Sequence, residues 1–165
     1  MVLAVKHAGI NKNDMVNGEG VSVSFWTQGC PHHCVGCHNP ETWPWGGGIE
    51  KDIDEIVEEI IQAIPANGIM RNFSILGGEP LCTPNIAAVD HIAKKVKEKY
   101  PYIKIYIWTG YTKEELEELY KIDLINLIEW ADVVIEGRYD HLQRDISLPL
   151  RGSRNQRVLR KNIDF

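Results

Sequence analysis

The sequence has no apolar run that approaches the roughly 20 residues needed to span a membrane. Residues 1–20 also lack the charged start and apolar stretch of a secretory signal peptide, so we expect a cytoplasmic protein without membrane association. Internal repeats, low-complexity tracts and linkers are missing as well, and the 165 residues have 44% hydrophobic and 25% charged content. These absences predict a single domain over residues 1–165.

Cysteine is scarce, with four residues in the chain, but its placement is informative. Cys30, Cys34 and Cys37 fall within eight residues, while Cys82 stands alone. Because cysteines stay reduced in a protein without an export signal, this pattern favours metal binding or catalysis over a disulfide framework. The three clustered cysteines have the spacing CxxxCxxC on what we call the cysteine loop (residues 29–38), so their thiolates can meet at one metal centre.

The fourth ligand of such a centre is open, since structural zinc and four-iron clusters ordinarily take four protein ligands. The position is available to Cys82, to a histidine of the cysteine loop, or to a substrate. A substrate in this position would make the site catalytic, because catalytic metals keep an open coordination site. For Cys82 we favour a structural role, since a lone cysteine is often a small buried residue. The histidine candidates are His32, His33 and His38.

Apolar periodicity predicts strands that alternate with helices. The alternation implies βαβ crossovers and an α/β fold with an open, curved, mostly parallel sheet. A complete eight-fold barrel needs about 250 residues, so this chain is long enough for only part of one. Asp52 and Thr112 are predicted helix N-caps, and Thr83 with Pro84 opens a further helix. The predicted strands are 20–28, 73–76, 102–108 and 132–136, with short strands at 3–7 and 157–160, a turn at 11–14 and helices over 52–64 and 122–130.

Three turns follow predicted strands, at residues 28–37, 77–80 and 109–110. In an open α/β sheet the ligand site lies at the carboxyl ends of the strands. We therefore expect these turns to gather on one edge of the sheet. Their glycines allow the backbone to approach a ligand closely.

Charge is unevenly distributed along the chain. Seven basic and three acidic residues lie in the segment 138–165, although the whole chain has a net charge of -5. This basic segment indicates a phosphate-bearing ligand or an acidic partner surface. The alternative is that its arginines form ion pairs within the chain. Nucleic acid is not among the partners we expect.

The cysteine spacing after the strand at 20–28, together with Gly77-Gly78-Glu79-Pro80 after the strand at 73–76, resembles the radical S-adenosylmethionine superfamily. The resemblance implies a partial (β/α) barrel in which Cys30, Cys34 and Cys37 hold a 4Fe-4S cluster, and S-adenosylmethionine chelates the fourth iron. Many members have an aromatic residue before the third cysteine, where this chain has Gly36. The implied S-adenosylmethionine contacts are Gly77, Gly78 and Glu79 for the methionine end, Gly36, Cys37 and His38 for adenine, and Thr109 and Gly110 beside the ligand.

Several further segments are similar to the activating proteins of anaerobic ribonucleoside-triphosphate reductases. No cysteine lies between Cys37 and Cys82, whereas some activases of other glycyl radical enzymes carry a cysteine-rich ferredoxin insert there. The similar segments are 17–20, 37–43, 108–111 and 144–157.

This resemblance implies a reaction and its partners. A low-potential donor such as flavodoxin or ferredoxin reduces the cluster, S-adenosylmethionine is cleaved, and the 5′-deoxyadenosyl radical takes a hydrogen atom from a backbone glycine of the reductase. The cofactor supplies the hard chemistry, so no side chain beyond the cluster ligands is expected to act catalytically. Arg151, Arg154 and Arg157 are our candidates for docking the reductase.

Two other functions stay open at this point. The first is activation of a different glycyl radical enzyme, such as pyruvate formate-lyase, although the chain length and the segment 144–157 argue against it. The second is a non-catalytic iron-sulfur or zinc module, in which Cys82 would close the site. An iron with an open position distinguishes the activases from this module.

Overall fold

A computed structural model describes residues 4–165, so Leu3, the first residue of one predicted strand, lies outside it. The described residues form seven strands and four α-helices. The strands are β1 (Ala4–Asp14), β2 (Ser22–Thr27), β3 (Ile49–Asp52), β4 (Asn72–Gly77), β5 (Ile105–Thr109), β6 (Val133–Glu136) and β7 (Arg157–Arg160). The helices are α1 (Ile53–Ala63), α2 (Thr83–Lys99), α3 (Lys113–Tyr120) and α4 (Leu124–Leu127). Strands alternate with helices from β3 to β6, except that α3 and α4 are consecutive.

The strands form one open sheet in the order β3-β1-β2-β4-β5-β6-β7. The four central strands β2, β4, β5 and β6 run parallel, as expected for strands joined by helical crossovers. The outer pairings, β1 with β2, β1 with β3 and β6 with β7, are antiparallel. The expected open α/β sheet is therefore confirmed, but it is mixed, with a parallel centre and antiparallel flanks.

Strand β1 is longer than predicted and lies inside the sheet between β3 and β2. The prediction of a turn at residues 11–14 is wrong, because these residues continue β1. Its register shifts between His7 and Gly9 and again between Asn11 and Asp14. Such irregularities break the two-residue alternation by which a strand is recognised in sequence.

The helices begin where local capping signals predict. The carboxylate of Asp52 accepts hydrogen bonds from the backbone N–H groups of Asp54 and Glu55 at the start of α1. Thr112 and Glu115 form the reciprocal capping box of α3. Helix α4 is shorter than the predicted 122–130. No helix within residues 4–165 has the length and apolar content needed to cross a membrane.

The two faces of the sheet differ in character. One row of cross-strand neighbours belongs to the main apolar core, which the four helices cover, and the adjacent row points to the opposite face. The first row is Phe25, Ile75, Ile107 and Val134. The second row is Ser24, Ser74, Tyr106 and Val133. Helices thus occupy one face only, and the other is free to take part in a site.

The buried side chain of His7 in β1 has no hydrogen-bond partner on either ring nitrogen among the described residues. Burial lowers the pKa of His7 below its usual 6.5. Between the lowered pKa and 6.5, the unfolded chain binds a proton that the folded chain does not. The free energy of unfolding therefore decreases as the pH falls through this range, by up to about 1.4 kcal/mol per pH unit.

We expect His7→Leu to remove this acid sensitivity, because leucine fills similar space and does not titrate. Urea unfolding at about pH 5.5 and about pH 7.5 measures the difference between the variant and the wild type. His141→Leu, at an exposed histidine, is the control and should retain the wild-type pH dependence. An unchanged pH dependence in His7→Leu would contradict the prediction.

Candidate functional site

A cavity of about 410 Å³ lies at the edge of the sheet where β2, β4, β5 and β6 end. It is lined by residues of the cysteine loop, of the turn 77–80 and of the turn 109–110. Because the carboxyl ends of parallel strands meet at one edge, the turns that follow them come together. The expectation that these three turns gather on one edge is confirmed.

All three cysteines of the cysteine loop line this cavity. Cys30 is buried, whereas Cys34 and Cys37 are half-buried. A tight turn holds the last two, since the N–H of Cys37 donates to the carbonyl oxygen of Cys34 at 3.1 Å. Burial raises the pKa of the Cys30 and Cys34 thiols. Metal binding at these thiols must therefore release protons.

Cys82 lies elsewhere, since it is not among the described residues that line the cavity. Its side chain is buried, and its thiol donates a hydrogen bond of 3.0 Å to the carbonyl oxygen of Glu79. Burial raises the pKa of Cys82 to about 12. These observations support the structural role favoured from the sequence and argue against Cys82 as a fourth ligand.

Within residues 4–165, no three His, Cys, Asp or Glu side chains are grouped so as to hold a single metal ion. A four-iron cluster makes a different demand, because its cysteines bind separate irons. Three partly or fully buried thiols surround a cavity of this size. Their number and their soft sulfur atoms suit a cluster of this kind.

The paired glycines of the turn 77–80 allow the cysteine loop to pack against the end of β4. The N–H of Gly78 donates to the carbonyl oxygen of Thr27 at 2.9 Å, and the N–H of Glu79 donates to that of Gly29 at 2.8 Å. A Cβ atom on Gly78 would lie 2.9 Å from the carbonyl carbon of Gly29. The absence of side chains at this turn is thus needed for the fold of the cysteine loop itself.

Glu79 is completely buried, and its carboxylate joins three loops. Its Oε1 accepts hydrogen bonds from the N–H of Leu81 at 2.9 Å and from the hydroxyl of Thr109 at 2.7 Å. Its Oε2 accepts one from the N–H of Gly110 at 2.7 Å and lies 2.8 Å from Nε2 of His32. The carboxylate therefore links the cysteine loop to the turns after β4 and β5.

Most of the S-adenosylmethionine contacts implied by the resemblance line the cavity, and one does not. The lining includes Cys37, His38, Gly77, Gly78, Glu79, Thr109 and Gly110. Gly36 is not among the described lining residues, and a Cβ atom on it would lie 3.3 Å from Cβ of His141 and 3.5 Å from the ring of Tyr139. Tyr139, which sequence reasoning did not single out, lines the cavity with its ring 5.3 Å from that of His38.

The segment 138–156 lies over the face of the sheet that the helices leave free. The indole N–H of Trp108 donates to the carbonyl oxygen of Leu150 at 2.7 Å, and Leu150 packs with Tyr106 on that face. Leu148, Leu150 and Arg151 line the cavity. Sequence periodicity carries no signal for this covering segment, because it has almost no regular secondary structure.

Several arginines of the basic segment 138–165 form ion pairs within the chain. For these arginines, the alternative to a ligand-binding or partner-binding role is confirmed. Arg157 pairs with the buried Glu136 and with Glu114, both at 2.7 Å. Arg151 donates to the carbonyl oxygen of Gln156 at 2.6 Å, while Arg154 is exposed. The remaining pairs are Arg138 with Glu115 and Arg160 with Glu19.

The cysteine-lined cavity on an open α/β sheet agrees with a comparison to known families. A family model described as "4Fe-4S single cluster domain" matches residues 16–159. This match covers the cysteine loop and most of the sheet, and it places the chain among iron-sulfur proteins.

Several curated relatives share one name, anaerobic ribonucleoside-triphosphate reductase-activating protein. The relative from Pasteurella multocida is 35% identical over 89% of this chain and 92% of its own length. That from Vibrio cholerae is 34% identical over the same shares, and that from enterobacteria phage T4 is 30% identical over 88% of this chain and 87% of its own. The chain belongs to the family of anaerobic ribonucleoside-triphosphate reductase-activating proteins.

Proposed function

We propose that this protein activates an anaerobic ribonucleoside-triphosphate reductase by generating a glycyl radical on it, with a 4Fe-4S cluster and S-adenosylmethionine. The observation that carries the proposal is the joint placement of the CxxxCxxC thiols and the turn 77–80 around one cavity. The shared name of the relatives supports the choice of partner.

Cys30, Cys34 and Cys37 would hold the cluster, and Cys82 would take no part. When bound, the cluster supplies the electron for reductive cleavage of S-adenosylmethionine, and the hydrogen atom comes from a backbone glycine of the partner. The backbone of Gly77, Gly78 and Glu79 would accommodate the methionine end. Adenine would lie near His38, against backbone of the cysteine loop, with Thr109 and Gly110 beside the ligand.

The surroundings of the cavity suit chemistry that must exclude water. Trp26, Leu76 and Trp108 contribute apolar surface, and Leu148 and Leu150 of the covering segment add to it. An apolar lining keeps reactive intermediates away from water and other reagents. We infer that the sheet is a partial barrel of the radical S-adenosylmethionine type, in which β2, β4, β5 and β6 supply the parallel strands and the chain acts as one domain.

The reductase would dock around the mouth of the cavity, where a polypeptide segment can reach the reacting atoms. Of the three arginines proposed for docking, Arg154 is the most suitable, because Arg157 already has two acidic partners in the chain. Arg151 lines the cavity and is oriented by backbone carbonyl groups. A low-potential flavodoxin or ferredoxin would supply electrons.

An anaerobic assay with iron, sulfide, a reductant, S-adenosylmethionine and the reductase tests the proposal. We expect 5′-deoxyadenosine and a glycyl radical signal in electron paramagnetic resonance (EPR). Arg154→Glu should leave cleavage of S-adenosylmethionine intact without the reductase, but weaken reductase binding by roughly fivefold or more. Lys95 lies in α2, on the side of the sheet that the helices cover, so Lys95→Glu should change neither the cleavage of S-adenosylmethionine nor the binding of the reductase.

The outcomes separate the two parts of the proposal. Cleavage of S-adenosylmethionine without a radical on the reductase would mean that the partner is wrong. Failure to bind a cluster or to cleave S-adenosylmethionine would overturn the activase function. Equal reductase affinity of Arg154→Glu and Lys95→Glu would remove Arg154 from the docking surface.

A further inference from the structure

His32 differs from the other histidines of the cysteine loop. It lies between Cys30 and Cys34, yet only 5% of its side chain is exposed, and its Nε2 is 2.8 Å from Oε2 of Glu79. The neighbouring His33 is exposed and stacks on Trp43. The buried imidazole and the buried carboxylate depend on each other, because either group left buried without a hydrogen-bond partner would cost free energy of folding.

The carboxylate of Glu79 has no acceptor position to spare. A carboxylate has about four lone-pair sites, and the two oxygens of Glu79 already face four donors within the chain. These donors are His32, Leu81, Thr109 and Gly110. A ligand ammonium group could bind this carboxylate only by displacing one of them.

Residues of the turn after β5 pack closely around the imidazole of His32. Its ring forms a T-shaped contact with that of Tyr111, with the ring centroids 4.6 Å apart and an angle of 78° between the planes. A Cβ atom on Gly110 would lie 2.8 Å from Nε2 of His32, so only glycine at this position leaves the imidazole its place. The turns after β4 and β5 thus together form the packing site of the His32 side chain.

We propose that His32 is a positioning residue, which fastens the cysteine loop to the carboxylate of Glu79, and that this carboxylate orders the three loops rather than contacting S-adenosylmethionine. The proposal rests on the proposed function for the identity of the ligand. The contact between His32 and Glu79 does not depend on the proposed function, because both residues belong to the folded chain.

Direct contact and positioning predict opposite effects of removing the imidazole. If the ammonium group of S-adenosylmethionine binds Glu79, His32 competes with it, and the loss of His32 leaves the affinity equal or higher. If the pair positions the cysteine loop, the loss of His32 loosens the loop and lowers the affinity. The sign of the change therefore separates the two roles.

The experiment compares His32→Asn, His32→Gln and His33→Asn. The asparagine side chain is too short to reach Glu79 from position 32, whereas glutamine carries an N–H group to about the place of Nε2. His33→Asn is the matched control, because asparagine tolerates the positive φ of that residue.

Two measurements are made on each variant. In the cluster-free protein, the alkylation rate of Cys30 reports whether the loop is held in place, since this thiol is buried in the wild type. In the reconstituted protein, the dissociation constant of S-adenosylmethionine and the EPR change on its binding report the effect on the site. We expect His32→Asn to raise alkylation and weaken binding about tenfold each, with wild-type values for His33→Asn and recovery to within about threefold in His32→Gln.

Unchanged alkylation in His32→Asn, or an affinity equal to or above that of the wild type, would overturn the proposal. If His32→Asn does not fold, Gly110→Ala displaces the same imidazole and must raise alkylation in its place. If the wild type binds no S-adenosylmethionine, the proposed function fails, while the alkylation rates still decide whether the contact between His32 and Glu79 holds the loop.

Discussion

Cys34→Ser is expected to abolish cluster assembly and cleavage of S-adenosylmethionine, with both falling by more than about 100-fold. Cys34 is the central of the three thiols that line the cavity, and the described lining contains no fourth cysteine to replace it. A serine hydroxyl is a harder ligand than a thiolate and does not ionise near neutral pH, so it binds iron poorly in such clusters. Iron and sulfide content after anaerobic reconstitution and the yield of 5′-deoxyadenosine measure the effect.

Cys82→Ser is the matched control for this experiment. The thiol of Cys82 is buried and donates to the carbonyl oxygen of Glu79, a bond that a serine hydroxyl can also donate. We therefore expect wild-type cluster content and wild-type cleavage in Cys82→Ser. A Cys82→Ser protein that folds but holds no cluster would show that Cys82 is a ligand, and the site would then be a closed electron-transfer centre.

Gly78→Ala is expected to have the second large effect, because the added methyl group has no room. Its Cβ would overlap the carbonyl group of Gly29, with 2.9 Å to the carbonyl carbon, and would lie 3.0 Å from the carbonyl oxygen of Thr42. These are backbone atoms of the first residue of the cysteine loop and of a residue just after the loop, so they cannot move aside as a flexible side chain can. We expect a loss of about 1–3 kcal/mol in the free energy of unfolding, together with loss of cluster binding.

Gly46→Ala provides the control for Gly78→Ala. A Cβ atom on Gly46 would meet nothing within 4 Å, and the backbone there does not have a positive φ. Urea unfolding and iron content should be near those of the wild type, within about 0.5 kcal/mol in stability. Equal behaviour of the two alanine variants would show that the cysteine loop does not depend on the close approach at Gly78.

The elements that the sequence predicted well are those whose stabilising contacts are local. The cap at Asp52 and the capping box at Thr112 use hydrogen bonds between residues at most three positions apart, so a short stretch of sequence contains the whole signal. Strands β2 and β5 alternate with a two-residue period, whereas β4 and β6 are short apolar runs that are buried along most of their length. Strand β3 was not predicted, since its four residues are stabilised by pairing with β1, more than 40 positions earlier.

The cysteine spacing and the glycine turns were sufficient, from the sequence alone, to locate the candidate site at one edge of an α/β sheet. This worked because parallel strands joined by helices place all their carboxyl ends together, whatever the details of packing. Gly36 was suggested as an adenine contact by the family resemblance and not by this reasoning, and in the structure a Cβ atom on Gly36 would meet His141 and Tyr139. The direction in which a loop residue points depends on the segment that packs against it, and that segment lies more than 100 positions later in the sequence.

By itself, then, the sequence determined the class of fold, the clustered cysteines and the edge at which the turns meet, because these follow from periodicity and from spacing along the chain. Only the tertiary structure decided that Arg157 has acidic partners within the chain, that Cys82 lies outside the cavity, and that the carboxylate of Glu79 has donors on both oxygens. Each of these depends on contacts between residues far apart in sequence. Such contacts form only when several loops pack together, and no local pattern encodes their geometry.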